Sequence, residues 1–282
     1  DLLDLHISLR RQRQMCIRDS QEILSILTKS AIQAYEVKKI SGTEMPQRLM
    51  YTALYMNKHG DFINDIEQEK DVQENAFAED TCGNLLTSHF RHTSQTHPSW
   101  GSFSSLEHPY LSLYIRADHS TLHELCTERN DITFSLQPLY EAAENTRLCV
   151  HEKDYPLEKL FHSRTPGNYP DYTGNRHPWS EEDEQNQLAS AYSSAIDYNC
   201  QREAGASAVQ AQQLLTMCML QNVTASGSLR AWLRLLDSCS RPNKSYETKS
   251  LTDLIADHVA SWVPEVYAWW SNSQRSKTEL RV

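Results

Sequence analysis

Residues 104–137 read SSLEHPYLSLYIRADHSTLHELCTERNDITFSLQ. From Pro109 to Arg116 the residues alternate, with Leu111, Leu113 and Ile115 on one face, which is the two-residue period of a strand. His119–Glu128 suits a short helix. Asp131–Gln137 alternates again and places Ile132, Phe134 and Leu136 on one face. Two strands separated by a single helix therefore stand at the centre of the sequence.

Toward the C-terminus the chain is helical. Ser180 followed by Glu181-Glu182-Asp183-Glu184 is a strong helix start, because the hydroxyl can cap the first turn and the carboxylates face the positive end of the helix dipole. Helices are expected near 181–203, 207–220, 228–238 and 246–270. The last carries Leu251, Leu254, Ile255, Val259, Trp262, Val263, Val266, Trp269 and Trp270, a stripe that reads as core or subunit interface. Pro264 should kink or end it. Residues 151–179 hold several prolines and glycines and read as a long irregular excursion.

Toward the N-terminus, residues 82–105 are rich in Ser, Thr and His and read as loop. Residues 61–80 are acidic with little apolar periodicity and read as a solvated segment. Helices are expected at 44–58 and at 21–40, the second stopped by Gly42. Arg10–Asp19, RRQRQMCIRD, resembles the peptide encoded by sequencing-adapter DNA. Residues 1–19 are accordingly expected to be an artefact or a disordered arm, and 20–282 a single domain with long insertions near 61–97 and 150–180.

The 282 residues carry 27 Lys+Arg against 37 Asp+Glu, a net charge of −10. A nucleic-acid polymer as partner is not expected, since it would need a basic patch. No apolar run approaches the ~18 residues of a membrane span, so no membrane partner is expected. Only 8 glycines occur, and neither GxGxxG nor GxxxxGKS is present. Seven cysteines (16, 82, 126, 149, 200, 218, 239) form no CxxC pair, which favours a reducing, cytoplasmic location over a disulfide framework.

Two segments carry a family resemblance. Ser104-Ser105-Leu106-Glu107-His108-Pro109 leads into the first strand, followed by Cys126-Thr127-Glu128-Arg129, then Thr133-Phe134-Ser135 and Gln137. Tyr198–Arg230, YNCQREAGASAVQAQQLLTMCMLQNVTASGSLR, keeps Gly205, Ala211, Leu215, Gly227, Leu229 and Arg230 at matching places, and Glu247 follows at the right distance. In order and spacing these resemble the flavin-dependent thymidylate synthases. The resemblance implies an α/β (α+β) fold, with a central, mostly antiparallel sheet flanked by helices, in a homotetramer with active sites between subunits. It implies conversion of dUMP to dTMP with methylenetetrahydrofolate as carbon donor, NADPH as reductant and FAD as hydride carrier. Carried over position by position, it implies that Glu107, His108, Arg129, Thr133, Ser228 and Arg230 meet the cofactor, and that Gln137, Gln212 and Glu247 meet the nucleotide.

The sequence departs from that pattern where charge matters most. The first Arg of the family's Arg-His-Arg signature is replaced at Cys126 or Thr127, its His is Glu128, and only Arg129 remains. Two further arginines fall at Gln212 and Cys239, the Ser-x-Arg-Tyr end becomes Pro138-Leu139-Tyr140, and an Asn is Ser228. Guanidinium groups are the natural clamps for phosphate, so turnover is in doubt. The competing expectation is a non-catalytic paralogue that keeps the oligomeric scaffold for nucleotide or protein binding. Arg91, Arg116, Arg147, Arg164, Arg176 or Lys244 are the cations available to compensate. Lys244 and Lys249 are also the near partners for Glu247, and Glu128 or Asp131 for Arg129. Two other chemistries are weaker. His89, His92 and His97 with Cys82 match no common zinc motif, and no metal site is expected. Cys126 or Ser135 with His123 lacks an oxyanion-hole signal.

Overall fold

The computed structural model describes residues 35–59, 78–96, 103–128, 131–150, 159–171, 173–241 and 243–272. In chain order the elements are β1 (Glu36–Gly42), α1 (Pro46–His59), α2 (Glu79–Thr96), a 3-10 turn (Ser104–Glu107), β2 (Tyr110–Asp118), α3 (His119–Thr127), β3 (Thr133–Leu136) and α4 (Leu139–Val150). They continue with β4 (Gly167–Pro170), β5 (Arg176–Trp179), α5 (Glu181–Glu203), α6 (Ala208–Ala211), β6 (Leu220–Ser228), α7 (Leu229–Cys239), α8 (Tyr246–Trp262) and α9 (Pro264–Asn272). The chain forms two compact units. The first holds Tyr35, Arg116–His123 and the described residues of Leu136–Asn222, and the second those of Glu36–Ile115, Glu124–Ser135 and Val223–Val282.

A sheet of strand order β1-β2-β6-β3 runs through the chain, and the second unit holds β1, β2 to Ile115, β3 to Ser135 and β6 from Val223. The strands run antiparallel. Thr43, after β1, donates its N–H to Tyr110 O at the start of β2 at 3.0 Å, and Leu229, after β6, donates to Pro109 O at 3.0 Å. At Gly227, near the end of β6, an added Cβ would sit 3.0 Å from Ile132 Cγ1, just before β3, so the bare glycine allows this close approach. Leu111, Leu113 and Ile115 of β2 are fully buried, as their alternation predicts. On the edge strand β3 the face is shallower: Phe134 is half-buried and Leu136 exposed.

Helices cover this sheet with an apolar stripe each. On α7, Leu229, Ala231, Trp232, Leu233, Leu235 and Leu236 are buried, and Trp232 Nε1 donates to Leu111 O at 3.1 Å. On α8 and α9 the predicted stripe is buried at Leu251, Ile255, Val259, Trp262, Val263, Val266, Trp269 and Trp270, with Leu254 half-buried. The helix breaks at Val263, before Pro264, as expected.

Several expectations are corrected. The 82–105 stretch is not loop: α2 runs through it to Thr96, because Cys82, Leu86 and Phe90 recur every four residues and are all fully buried. The helix expected at 21–40 is a strand from Glu36, and the part before Tyr35 lies outside the described residues. The helix expected at 207–220 stops after Leu214, and β6 follows with Val223 and Ala225 buried in alternation. Asn, Gln, Ser and Gly in β6 hide the strand from a hydrophobic pattern. The 151–179 excursion contains the antiparallel β4–β5 hairpin.

A buried polar knot pins α1 to its neighbours. Gln47 is fully buried; its amide donates to Glu265 Oε2 at 2.6 Å and Glu79 O at 3.2 Å, and its Oε1 accepts from Val266 N at 3.2 Å. Glu79 in turn accepts the N–H groups of Gln47 and Arg48 at the start of α1. A Cβ at Gly83 would stand 2.6 Å from Gln47 Oε1. The amide is held from both ends and cannot step aside, so Gly83→Ala should destabilise by about 1–3 kcal/mol in urea unfolding.

In the first unit α4 packs on α5 through Ala142, Ala143, Leu188, Ala191, Ala195 and Tyr198. Glu144 accepts from Tyr198 Oη at 2.7 Å and Arg202 Nε at 2.6 Å. The predicted start of α5 is a full capping box between Ser180 and Asp183.

Candidate functional site

Three of the residues that sequence assigned to a cofactor meet at the junction of β6 and α7. Ser228 caps α7: its Oγ accepts from Ala231 N at 3.3 Å and donates to Glu107 Oε2 at 2.8 Å. Arg230, in the first turn, donates from Nη1 to Glu107 Oε1 at 3.2 Å. Glu107 reaches them because the 3-10 turn ends there, immediately before β2. Its side chain remains 47% exposed, whereas that of Arg230 is 20% exposed. Arg230 is thus an oriented guanidinium at a helix N-terminus, not part of a solvated face.

His108 is exposed and donates its N–H to Ser105 O at 3.3 Å. Thr133 is exposed on β3, and Glu247 lies in the first turn of α8. Arg129 lies outside the described residues. Gln137 and Gln212 belong to the first unit. There Gln137 donates its N–H to Asn222 O at 2.9 Å and accepts Gln221 Nε2 at 2.8 Å, while Gln212 is half-buried in a 3-10 turn.

A second charged cluster, absent from the sequence-based site, joins the end of α3 to the start of α8. Lys244 Nζ stands 2.6 Å from Glu128 and 3.4 Å from Glu124, with only 11% of its side chain exposed. Glu124 also accepts from Ser245 Oγ at 2.7 Å and Thr248 Oγ1 at 2.6 Å. Burial alone would depress the Lys244 ammonium, but the hydrogen bond and charge of Glu128, with Glu124, outweigh it and raise its pKa. Burial pushes Glu124 up, yet Thr248, Ser245 and Lys244 together bring it below the usual carboxylate range. Sequence offered one clue, the Glu128 that replaces a histidine. The pairing itself is long-range and invisible there.

Of the cations that sequence offered to compensate, Lys244, Arg116 and Arg164 already have partners, whereas Arg176 is exposed. Lys244, one of the two partners expected for Glu247, takes Glu124 and Glu128, and Arg234 takes Asp131 at 3.2 Å. Arg116 donates to Lys159 O, and Arg164 lies over the rings of Tyr169 and Trp179 at 5.1 and 6.0 Å. Cys239, at an expected arginine position, is buried with its thiol pushed up to about 11, chiefly by desolvation. Burial also raises Cys126, which counts against a thiolate nucleophile there. Cys82 is buried in α2 and pushed to about 11, again chiefly by burial, and the side chains of His92 and His97 lie outside the described residues. Among the described residues no helix is long and apolar enough to cross a membrane.

The chain matches the family described as thymidylate synthase complementing protein over residues 40–265. It belongs to that family. The match spans both units and every described candidate residue, Glu107, Ser228 and Arg230 included. No curated protein matches the sequence. Among solved structures it is similar to a UMP/dUMP methylase PolB from Streptomyces cacaoi bound with 5-Br dUMP, at TM-score 0.58 and 16% identity, over 86% of this chain and 97% of that one. The same methylase bound with 5-Br UMP gives TM-score 0.59 and 13% identity, over 86% of this chain and 95% of that one. At these identities the likeness establishes the fold: a thymidylate synthase complementing protein scaffold with an antiparallel sheet flanked by helices.

Proposed function

We propose that the protein is a thymidylate synthase-like flavoprotein acting on a pyrimidine nucleotide of the dUMP class, with a weakened hold on phosphate. In this reading methylenetetrahydrofolate supplies the carbon and NADPH the reducing equivalents for conversion to dTMP. The protein works as a cytoplasmic homotetramer, with no nucleic-acid polymer or membrane as partner. The observation that supports it is the joining of Glu107, Ser228 and Arg230 within the matched region.

The donor chemistry there fits the phosphate of a flavin cofactor. A guanidinium and the positive end of an 11-residue helix face the same place, and one carboxylate leaves that local charge balanced, not negative. FAD, when bound, supplies hydride transfer. Arg230 and the start of α7 hold its phosphate, Glu107 fixes the Arg230 fork, and Ser228 ties Glu107 to the helix cap. The 124–128 segment fits an anion poorly, because Glu124 and Glu128 bring two carboxylates against the single ammonium of Lys244.

That same cluster favours a second reading, a non-catalytic paralogue that keeps the oligomeric scaffold for nucleotide or protein binding. Two measurements separate them: the visible flavin band of the purified protein, and growth without thymidine of a strain lacking thymidylate synthase. A flavin band with growth supports the enzyme. Colourless protein that gains nothing from added FAD, with no growth, supports the paralogue.

A further inference from the structure

Helix α3 opens on His119 and carries His123 one turn later. Residues four apart project from the same helix face, and the two rings are tilted with centroids 6.4 Å apart. His119 is half-buried and His123 exposed. The start of the helix is firmly held: Asp118, buried, caps it by accepting Thr121 N at 3.0 Å and Thr121 Oγ1 at 2.7 Å, and also accepts from Tyr35.

The His119 ring is oriented from behind. Its Nδ1 lies 2.5 Å from Gln221 Oε1. Gln221 is 1% exposed, and its Nε2 donates to Gln137 O at 2.8 Å, which fixes its Oε1 as the end facing the imidazole. A carbonyl oxygen only accepts, so Nδ1 is the donating nitrogen and, in a neutral ring, Nε2 is the one left to bind an ion. Neither Nε2 of His119 nor either ring nitrogen of His123 has a hydrogen-bond partner among the described residues.

We propose that His119 and His123 form a two-histidine chelate for a divalent first-row transition-metal ion, with Gln221 as the outer partner that sets the His119 tautomer. Two imidazoles at this spacing on one helix face are a recurrent arrangement for such ions, and a ligand histidine characteristically donates its other ring N–H to a fixed acceptor. His123 is exposed, so turning its side chain closes both nitrogens onto one ion at about 2.1 Å. Among the described residues no group of three or more His, Cys, Asp or Glu is placed to hold a metal. The chelate proposed here has two protein nitrogens, with water in the remaining positions, so the ion stays exchangeable. Imidazole sites of this kind bind Cu2+ above Zn2+.

The test is Cu2+ titration by calorimetry with electron paramagnetic resonance on the full chain. The wild type should bind one ion in a tight phase, with two nitrogens coupled to the copper. His123→Ala, a surface change, should weaken that phase at least tenfold and leave one coupled nitrogen. His177→Ala, which removes an exposed histidine 3.0 Å from Asp171 on the β4–β5 hairpin, should leave it unchanged. Wild-type affinity in His123→Ala, or an equal loss in His177→Ala, overturns the proposal.

Discussion

Trp232→Ala should be the most damaging single substitution in the second unit. Trp232 is fully buried on α7, and its indole donates to the carbonyl of Leu111 at 3.1 Å. Truncation removes a fully buried tryptophan from that core and costs about 3–5 kcal/mol. It also strips a partner from the Leu111 carbonyl, which adds about 1 kcal/mol or more. The sum approaches the whole stability of an ordinary domain. Urea unfolding should show a collapse of the midpoint, and a protein that no longer folds cooperatively at 37 °C is the extreme form of the same result. Trp232→Phe keeps most of the apolar volume and should recover more than half of the loss. Equal effects from Ala and Phe would show that packing is not what Trp232 contributes.

Lys244→Met comes second. It preserves length and apolar stem but leaves Glu124 and Glu128 facing each other without the ammonium that stands 3.4 and 2.6 Å from them. Removing one partner of a largely buried ion pair costs about 3–5 kcal/mol, and partial exposure of the two carboxylates brings the expected loss to about 2–3 kcal/mol. The pH dependence carries a sign. Glu124 has a lowered pKa, so its stabilisation is present above the ordinary glutamate value and is lost as pH falls through the lower folded value. Lys244 has a raised pKa, so its stabilisation is full below the ordinary lysine value and is lost as pH rises through the higher folded value. Wild-type stability should therefore hold a plateau between the two values and fall at both ends. In Lys244→Met the alkaline fall due to this group disappears. With Lys244 gone, protonating either carboxylate relieves repulsion, so acidification should narrow the gap to wild type. A gap that stays constant from pH 4 to 7 would contradict this account of the cluster.

The chain showed its strands where apolar residues alternate against polar ones, and hid them where they do not. β2 is plain in Leu111, Leu113 and Ile115, while β6 pairs Val223 and Ala225 with a Gly and several polar residues and offers little contrast. The helix α2 was masked the other way: its stripe of Cys82, Leu86 and Phe90 is narrow, and the intervening Ser, Thr and His resemble a loop. Local signals served well, as at Ser180 with Asp183 and at Pro264. Of the candidate site, Glu107, Ser228 and Arg230 could be named from motif order, but their joining needs the sheet to bring residues 107 and 230 together. The commitment of Lys244 to Glu124 and Glu128 is set by how α8 meets α3, which no spacing encodes. His119 and His123 stood in plain view in the central stretch, but the role of Gln221 behind them depends on the start of β6.

The weakened hold on phosphate rests on Glu124 and Glu128 occupying Lys244, a cation an anionic nucleotide could otherwise use. Calorimetric titration of dUMP into the wild type and Glu128→Gln measures this directly. A like charge at ~4 Å costs on the order of 4 kcal/mol at an effective dielectric near 20. Even with strong solvent screening, Glu128→Gln should bind dUMP at least tenfold tighter, about 1.4 kcal/mol. A wild type that binds dUMP near or below ~1 μM, with no change in Glu128→Gln, would contradict it.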